Sequence, residues 1–359
     1  MIITRTPFRI SFFGGGTDYP AYFRRKGGET LVTSIDKYCT ITVQPLAKFF
    51  DHSIQVHYSR VESVNSIDDI QLPVVREVLR FLKIHSGVEI HIASDLPSRT
   101  GLATSSATTV GLLTALHALR GEMPDTLRIA AEAVYVEQQL IHENIGCQDQ
   151  YACALGGVSR LQFLQNGTVK AQPLVVSPER LQTLSERLLL FYTGIRRTAH
   201  DVTADQIENT GTGALDSLLD TMRTQVQQGI ELLYSSAPLI EFGHMLHDAW
   251  TMKRSLSSRV SSPLLDDVYR RAQAAGAIGG KLLGAGAGGF FLFYVEPSKQ
   301  TDVRRAVGDL LEVDFQFESE GSRVIFFRPN RTRRSSVYFE KSGVPSELEP
   351  ILAREAISG

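Results

Sequence analysis

PSRTGLATSSATTVGLLTALHALRG, Pro97 to Gly121, is the stretch on which the reading turns. Pro97 and Gly101 punctuate a loop. Leu112, Leu113, Leu116 and Leu119 then recur at three- and four-residue steps, which predicts a helix that Gly121 stops. The hydroxyls of Thr104 and Ser105 are placed to cap its first turn. A loop running into a helix N-terminus aims unpaired amides and the positive end of the helix dipole at one point, so it suits an anion. Gly101 permits close backbone approach, and Ser105 and Ser106 add hydroxyls suited to phosphate oxygens or Mg2+. A plain capped helix accounts for the same pattern. The G-x-S-x-G of a serine-hydrolase elbow is missing from it.

Two further segments carry chemistry. Gly284-Ala-Gly286-Ala-Gly288-Gly289 matches G-x-G-x-x-G, but a strand follows it, Phe290 to Val295, where a dinucleotide fold needs a helix. A Walker A loop fails too, since Leu282 follows Lys281. The loop is left able to approach a phosphate or another backbone closely, or to serve as a tight turn. On the helix predicted over about 126–143, Ala130, Val134, Glu137 and Ile141 share one stripe. Glu137 is an acid on an apolar face, where a carboxylate is paired, protonated or bound to a cation. Asp149 sits between two glutamines in a glycine-flanked segment, NIGCQDQYACALGG, that reads as irregular. An Asx turn explains Asp149 taken alone. Anion-binding loops with two acids are the parts of phosphoryl transfer.

Residues 1–13, 39–46, 88–93, 187–193, 290–295 and 323–328 read as strands, and Pro73–Ile84 and much of 214–276 as helix. The class is therefore α/β or α+β, with a boundary near 165–185. Of the 359 residues 43% are hydrophobic and 21% charged, ordinary for a globular chain of about two domains. Thirty-seven basic against 39 acidic residues leave no footprint for duplex nucleic acid. Three cysteines without C-x-x-C spacing support neither a disulfide framework nor a zinc site, and a cytoplasmic setting is the simpler expectation. The uncharged run Thr100–Leu119 holds too many hydroxyls for a membrane span, and Arg5 and Arg9 interrupt the first apolar run. Arg328, Arg331, Arg333, Arg334 and Lys341 mark a basic tail that reads as a solvated extension, with a partner-binding arm as the alternative.

The residues of 97–107 resemble the phosphate loop of the GHMP small-molecule kinases, P-x3-G-L-x-(S/T)-S-(S/A). KLLGAGAGG at 281–289 is similar to that family's third motif and TPFRISFFGGGTDYP at 6–20 to its first, in the family's order. The resemblance implies an α+β, two-domain fold. Residues 1–175 would form an ATP-binding domain like domain 2 of ribosomal protein S5, 176–329 a ferredoxin-like domain and 330–359 an extension. RISFFGGGTDYP at 9–20, the stretch from Glu137 through GCQDQYA to Gly157, and the length resemble the branch acting on D-glycero-D-manno-heptose 7-phosphate.

That branch phosphorylates the anomeric hydroxyl to the 1,7-bisphosphate, toward nucleotide-activated heptose. The implied ligands are ATP, Mg2+ and a sugar phosphate, with no nucleic acid or membrane, and a homodimer left open. Position by position, Pro97 and the backbone of Gly101, Leu102, Ala103, Thr104, Ser105 and Ser106 match the ATP-phosphate loop. Ser105 and Glu137 match the Mg2+ ligands. Asp149 matches the base or orienting acceptor, and Arg9 a cation near the transferred phosphoryl. Gly15, Gly16, Thr17 and Asp18 match the sugar site, and Gly284, Gly286 and Gly288 a lining from the second domain. Arg197, in TGIRRTAH, is the favoured cation for the distal phosphate, ahead of Arg24, Arg25, Lys26 and Arg196. Ala103, Thr104 and Arg99 depart from the usual loop residues; a Cβ at 103 costs little if φ is negative there. A kinase for another sugar such as fucose, and a non-catalytic sugar or ATP sensor on the same fold, are the alternatives.

Overall fold

The computed structural model describes residues 1–98, 100–195, 200–328, 337–340 and 348. A nine-stranded sheet runs in the order Arg323–Phe327, Ile2–Phe13, Gly28–Pro45, Val88–Ser94, Ile54–His57, Val61–Val64; Val158–Phe163 and Phe317–Glu318 also pair with Gly28–Pro45, and Val169–Pro173 with Val158–Phe163. Its pairings are antiparallel except that of Ile54–His57 with Val88–Ser94. The sheet draws on both ends of the chain, since Phe317–Glu318 and Arg323–Phe327 return to it.

The strand Ile2–Phe13 is buried without a break from Thr6 to Phe13. Its register against Gly28–Pro45 shifts between Pro7 and Phe8, where proline cannot donate to the ladder. The helix Thr104–Leu119 packs on both of these strands and is buried on nearly every side, the hydroxyls of Thr104, Ser106 and Thr109 included. Thr4 Oγ1 ties the strand to it, donating to Gly111 O at 3.0 Å.

A second, four-stranded sheet has the order Ala277–Leu282, Phe290–Val295, Leu188–Tyr192, Leu311–Glu312, all antiparallel. Ile240–Arg254, Pro263–Ala274 and Gln300–Ala306 are helices, the first two packed on its strand Ala277–Leu282, and the core of this half holds Trp250, Tyr269, Phe291 and Phe293. Phe242 of Ile240–Arg254 reaches the first sheet, its ring 5.1 Å from both Phe12 and Phe13. This apolar contact joins the two halves beneath the site.

Three local readings change. The helix beginning at Thr126, capped by Asp125, is α-helical to Tyr135 and continues as a π-turn over Val136–Leu140. Residues Gln148–Leu155, read as irregular, form a helix that buries Tyr151, Ala152, Cys153 and Ala154. A helix, His200–Gly211, also forms where the sequence pattern predicts none. The cysteines are free and buried, and among the described residues no helix is long and apolar enough to cross a membrane.

Candidate active site

The helix Thr104–Leu119 starts without the hydroxyl caps that Thr104 and Ser105 suggested. Its N-cap is Ala103, held left-handed at φ 63°, ψ 31°, and no side chain caps it. The favourable negative φ at position 103 is therefore not adopted. A non-glycine residue there costs roughly 1–2 kcal/mol, and the surroundings hold it: Ala103 is buried and its carbonyl accepts from Ala107 N at 2.9 Å. Ser105 is exposed at the first turn, whereas Ser106 points inward.

The glycine loop reaches this turn backbone to backbone. A Cβ on Gly101 would stand 2.4 Å from Leu283 O, and one on Gly284 2.3 Å from the Cα of Gly101. Both have positive φ, +84° and +71°. Gly286 and Gly288 press instead on Val260 and Ile195. Of the roles open to this loop, close approach to other backbone is the one its glycines adopt.

Arg9 joins the pieces. It is 3% exposed; its Nε and NH2 lie 2.9 and 2.7 Å from Asp149 Oδ1, and its NH1 donates to Gly101 O at 2.7 Å. Its own amide donates to Leu102 O at 3.2 Å. Asp149, in the first turn of Gln148–Leu155, is thus tethered to the loop at Gly101 through one guanidinium. Asp149 is 26% exposed, and Oδ2 carries no hydrogen bond among the described residues.

Glu137 lies inside the π-turn, a local irregularity frequent at functional sites. It is 1% exposed. Oε1 accepts from Thr109 Oγ1 at 2.6 Å and Oε2 from Ser106 Oγ at 2.8 Å and from Gln150 Nε2. Burial outweighs these donors and pushes its carboxyl up to about 7, with nearby Asp149 adding to the rise. Asp18 is buried as well and raised to about 6, by desolvation and then by Asp149. Its Oδ1 accepts from Gly16 N at 3.0 Å and its Oδ2 from Gln148 N at 3.3 Å. A Cβ on Gly146 would overlap Asp18 Oδ2 at 1.8 Å. Thr17 Oγ1 lies 2.8 Å from the carbonyls of both Gly14 and Glu29, so this hydroxyl shapes the loop. Gly15 faces Ser11 and Gln148.

Two lysines escaped the sequence reading. Lys281 donates to Phe12 O at 2.8 Å, and Lys253 to Leu282 O at 2.8 Å and to Gly284 O. Both are buried in the field of Arg9; desolvation and then Arg9 lower Lys281 to about 7, and desolvation, Lys281 and Arg9 hold Lys253 well below the usual lysine range. Only a lysine at the foot of the glycine loop was visible in sequence. Arg25 and Lys26 are engaged by Asp216 and Asp220 at 2.8 and 2.9 Å. Arg196, Arg197 and Arg99 lie outside the described residues.

An uncapped helix start, a glycine loop packed on it and converging acids meet at one place, the parts that phosphoryl transfer needs. The models of the GHMP kinase N-terminal and C-terminal domains match residues 72–157 and 236–312. A D-glycero-alpha-D-manno-heptose 7-phosphate kinase of Campylobacter jejuni is 30% identical over 333 residues, 89% of this chain and 97% of that one. The chain belongs to the GHMP kinase family.

Its fold is that of the crystal structure of a D-glycero-D-manno-heptose 1-phosphate kinase from Bacteroides thetaiotaomicron, with a TM-score of 0.70 and 23% identity over 91% of this chain and all of that one. A fucokinase/fucose-1-phosphate guanylyltransferase of Bacteroides fragilis is 26% identical over 84% of this chain, which spans 35% of that protein. The chain is a sugar kinase, a phosphotransferase with an alcohol acceptor and ATP as donor.

Proposed function

We propose that this kinase transfers the γ-phosphoryl group of ATP to the anomeric hydroxyl of D-glycero-D-manno-heptose 7-phosphate, giving the 1,7-bisphosphate. The likeness to the Campylobacter enzyme along nearly its whole length supports the substrate class. The observation that carries the chemistry is the Arg9 bridge, which ties Asp149 to the carbonyl of Gly101 in the phosphate loop.

In this reading Pro97 and the backbone of Gly101, Leu102, Ala103, Thr104, Ser105 and Ser106 cradle the ATP phosphates. The helix dipole and uncapped first turn stabilise their charge. Gly284 holds that turn from the other side, and Gly286 and Gly288, packed on Val260 and Ile195, shape the loop that carries it. Asp149 accepts a hydrogen bond from the sugar hydroxyl at its free Oδ2 and takes the proton late. Such transition states are loose in most analyses, so orientation matters more than base strength. Arg9 fixes Asp149 and places positive charge near the phosphoryl in flight. Gly15, Gly16, Thr17 and Asp18 form the sugar wall, and Arg197 is proposed for the 7-phosphate.

The metal proposed for this site is Mg2+. Ser105 and Glu137 offer hard oxygens, and Gln150 Oε1, buried and without a partner among the described residues, belongs to the amide bonded to Glu137. Bound there, Mg2+ would neutralise charge on the β- and γ-phosphates. The buried, unpaired thiols support a reducing compartment such as the cytoplasm.

Coupled ADP release against a panel of sugars and sugar phosphates tests the proposal. Heptose 7-phosphate is expected to give the highest kcat/KM. The Bacteroides fragilis relative supports a second reading, a kinase for fucose; preference for a neutral sugar would overturn the first in its favour.

A further inference from the structure

We propose that His57, Glu89 and His91 form a site for a divalent transition metal of the Zn2+ class, on the solvent-facing side of the first sheet. In the parallel pairing of Ile54–His57 with Val88–Ser94, His57 stands directly opposite His91. Glu89 lies two residues earlier, on the same face as His91. The neighbours Val56 and Ile90 are buried on the other face. One ligand atom from each of the three lies within 4.8 Å of the others.

The arrangement has the marks of a ligand set and not of a closed ion pair. Glu89 Oε1 lies 2.7 Å from His91 Nε2 and 3.7 Å from His57 Nε2. His57 Nε2 is shielded from solvent and has no hydrogen-bond partner among the described residues. Gln44 Nε2 donates to Glu89 Oε2 at 2.9 Å, which turns the other oxygen toward both imidazoles. An outer partner of this kind is what orients a metal-binding carboxylate. Two imidazoles and one carboxylate make the three-ligand set of zinc sites that leave a fourth position to water. Imidazole donors suit Zn2+, Cu2+ and Ni2+, whereas Mg2+ takes all-oxygen sets.

Tetrahedral bonds of about 2.0–2.2 Å put donors roughly 3.4 Å apart. The shorter contact must therefore open and the longer one close. The rings are stacked, with centroids 4.1 Å apart and planes at 3°. A metal lies in the plane of each imidazole it binds, so one ring turns out of the stack on binding. Side-chain exposures of 30% for His57 and 41% for His91 leave room for that turn. The occupied site would clamp the edge hairpin Ile54–His57 and Val61–Val64 to the strand that runs into the phosphate loop, apart from the residues assigned to phosphoryl transfer.

Calorimetric titration of Zn2+ into the full chain without nucleotide is expected to show saturable one-to-one binding. His57→Gln and His91→Gln should each weaken it about tenfold or more, and Gln44→Ala by a similar factor. His85→Gln, at an exposed histidine outside the trio, should leave it unchanged. On the unsubstituted protein, the imidazole nitrogen resonances of His57 and His91 should shift together as Zn2+ is added. Absence of saturable binding in the micromolar range overturns the proposal. So does binding that survives both substitutions, or shifts confined to other histidines.

Discussion

Replacing Glu137 with Gln should stabilise the nucleotide-free protein increasingly as pH rises from about 5 to 8, while abolishing the Mg2+ role proposed for that side chain. Burial raises this carboxyl from 4.5 to about 7 in the folded chain. Between those values the folded state holds a proton that the unfolded state has released. Stability contributed by the protonated form is complete below 4.5 and is lost as pH climbs through about 7. A gap of about 2.5 pKa units corresponds to about 3 kcal/mol. Gln has no charge to desolvate, so the variant escapes that loss. Whatever the amide costs among the hydroxyls of Ser106 and Thr109 is the same at each pH and cancels in the comparison. With an unfolding entropy near 0.7 kcal/mol/K for a chain of this size, the Tm difference between variant and wild type should grow by about 4 °C across that window. Calorimetric melts at pH 5 and pH 8 measure it. A Tm difference that is equal at both pH values would refute the argument that Glu137 is desolvated and without a cation in the free protein.

Asp149→Asn should lower kcat by about 10²–10⁴-fold with little change in ATP KM, read by coupled ADP release; near-normal turnover removes Asp149 from the proton-accepting role. Gly101→Ala forces a Cβ to 2.4 Å from Leu283 O at a φ of +84°, so thermal unfolding should register a loss of about 2–4 kcal/mol. Gly146→Ala drives a methyl into Asp18 Oδ2. Steady-state kinetics should show the sugar KM rising well beyond any change in ATP KM, and equal effects on both would dissociate Asp18 from the sugar site.

Much of the site was legible because its parts are local. The loop at 97–107, the glycines at 284–289 and the first-motif stretch each sit in contiguous sequence, where turn formers and helical spacing announce themselves. The helix Gln148–Leu155 was hidden because its flanking glycines and polar first turn mask an apolar run of only four residues, too short to show a helical period. The hydroxyl caps failed for the opposite reason. Thr104 and Ser105 have the right chemistry, but the chain enters the helix through a left-handed Ala103 and leaves that end uncapped.

From its sequence alone this chain declared mixed strands and helices and the acid on an apolar helical stripe, since periodicity and short-range spacing encode such features directly, while the α+β kinase fold followed from the resemblance of its three motifs to the GHMP kinases. Only the tertiary structure decided which partners those residues meet. Arg9 and Asp149 are 140 positions apart, and Lys253 and Lys281 reach Arg9 from the other half of the molecule. Burial, the main cause of the raised Glu137 and Asp18, depends on neighbours that packing alone assembles.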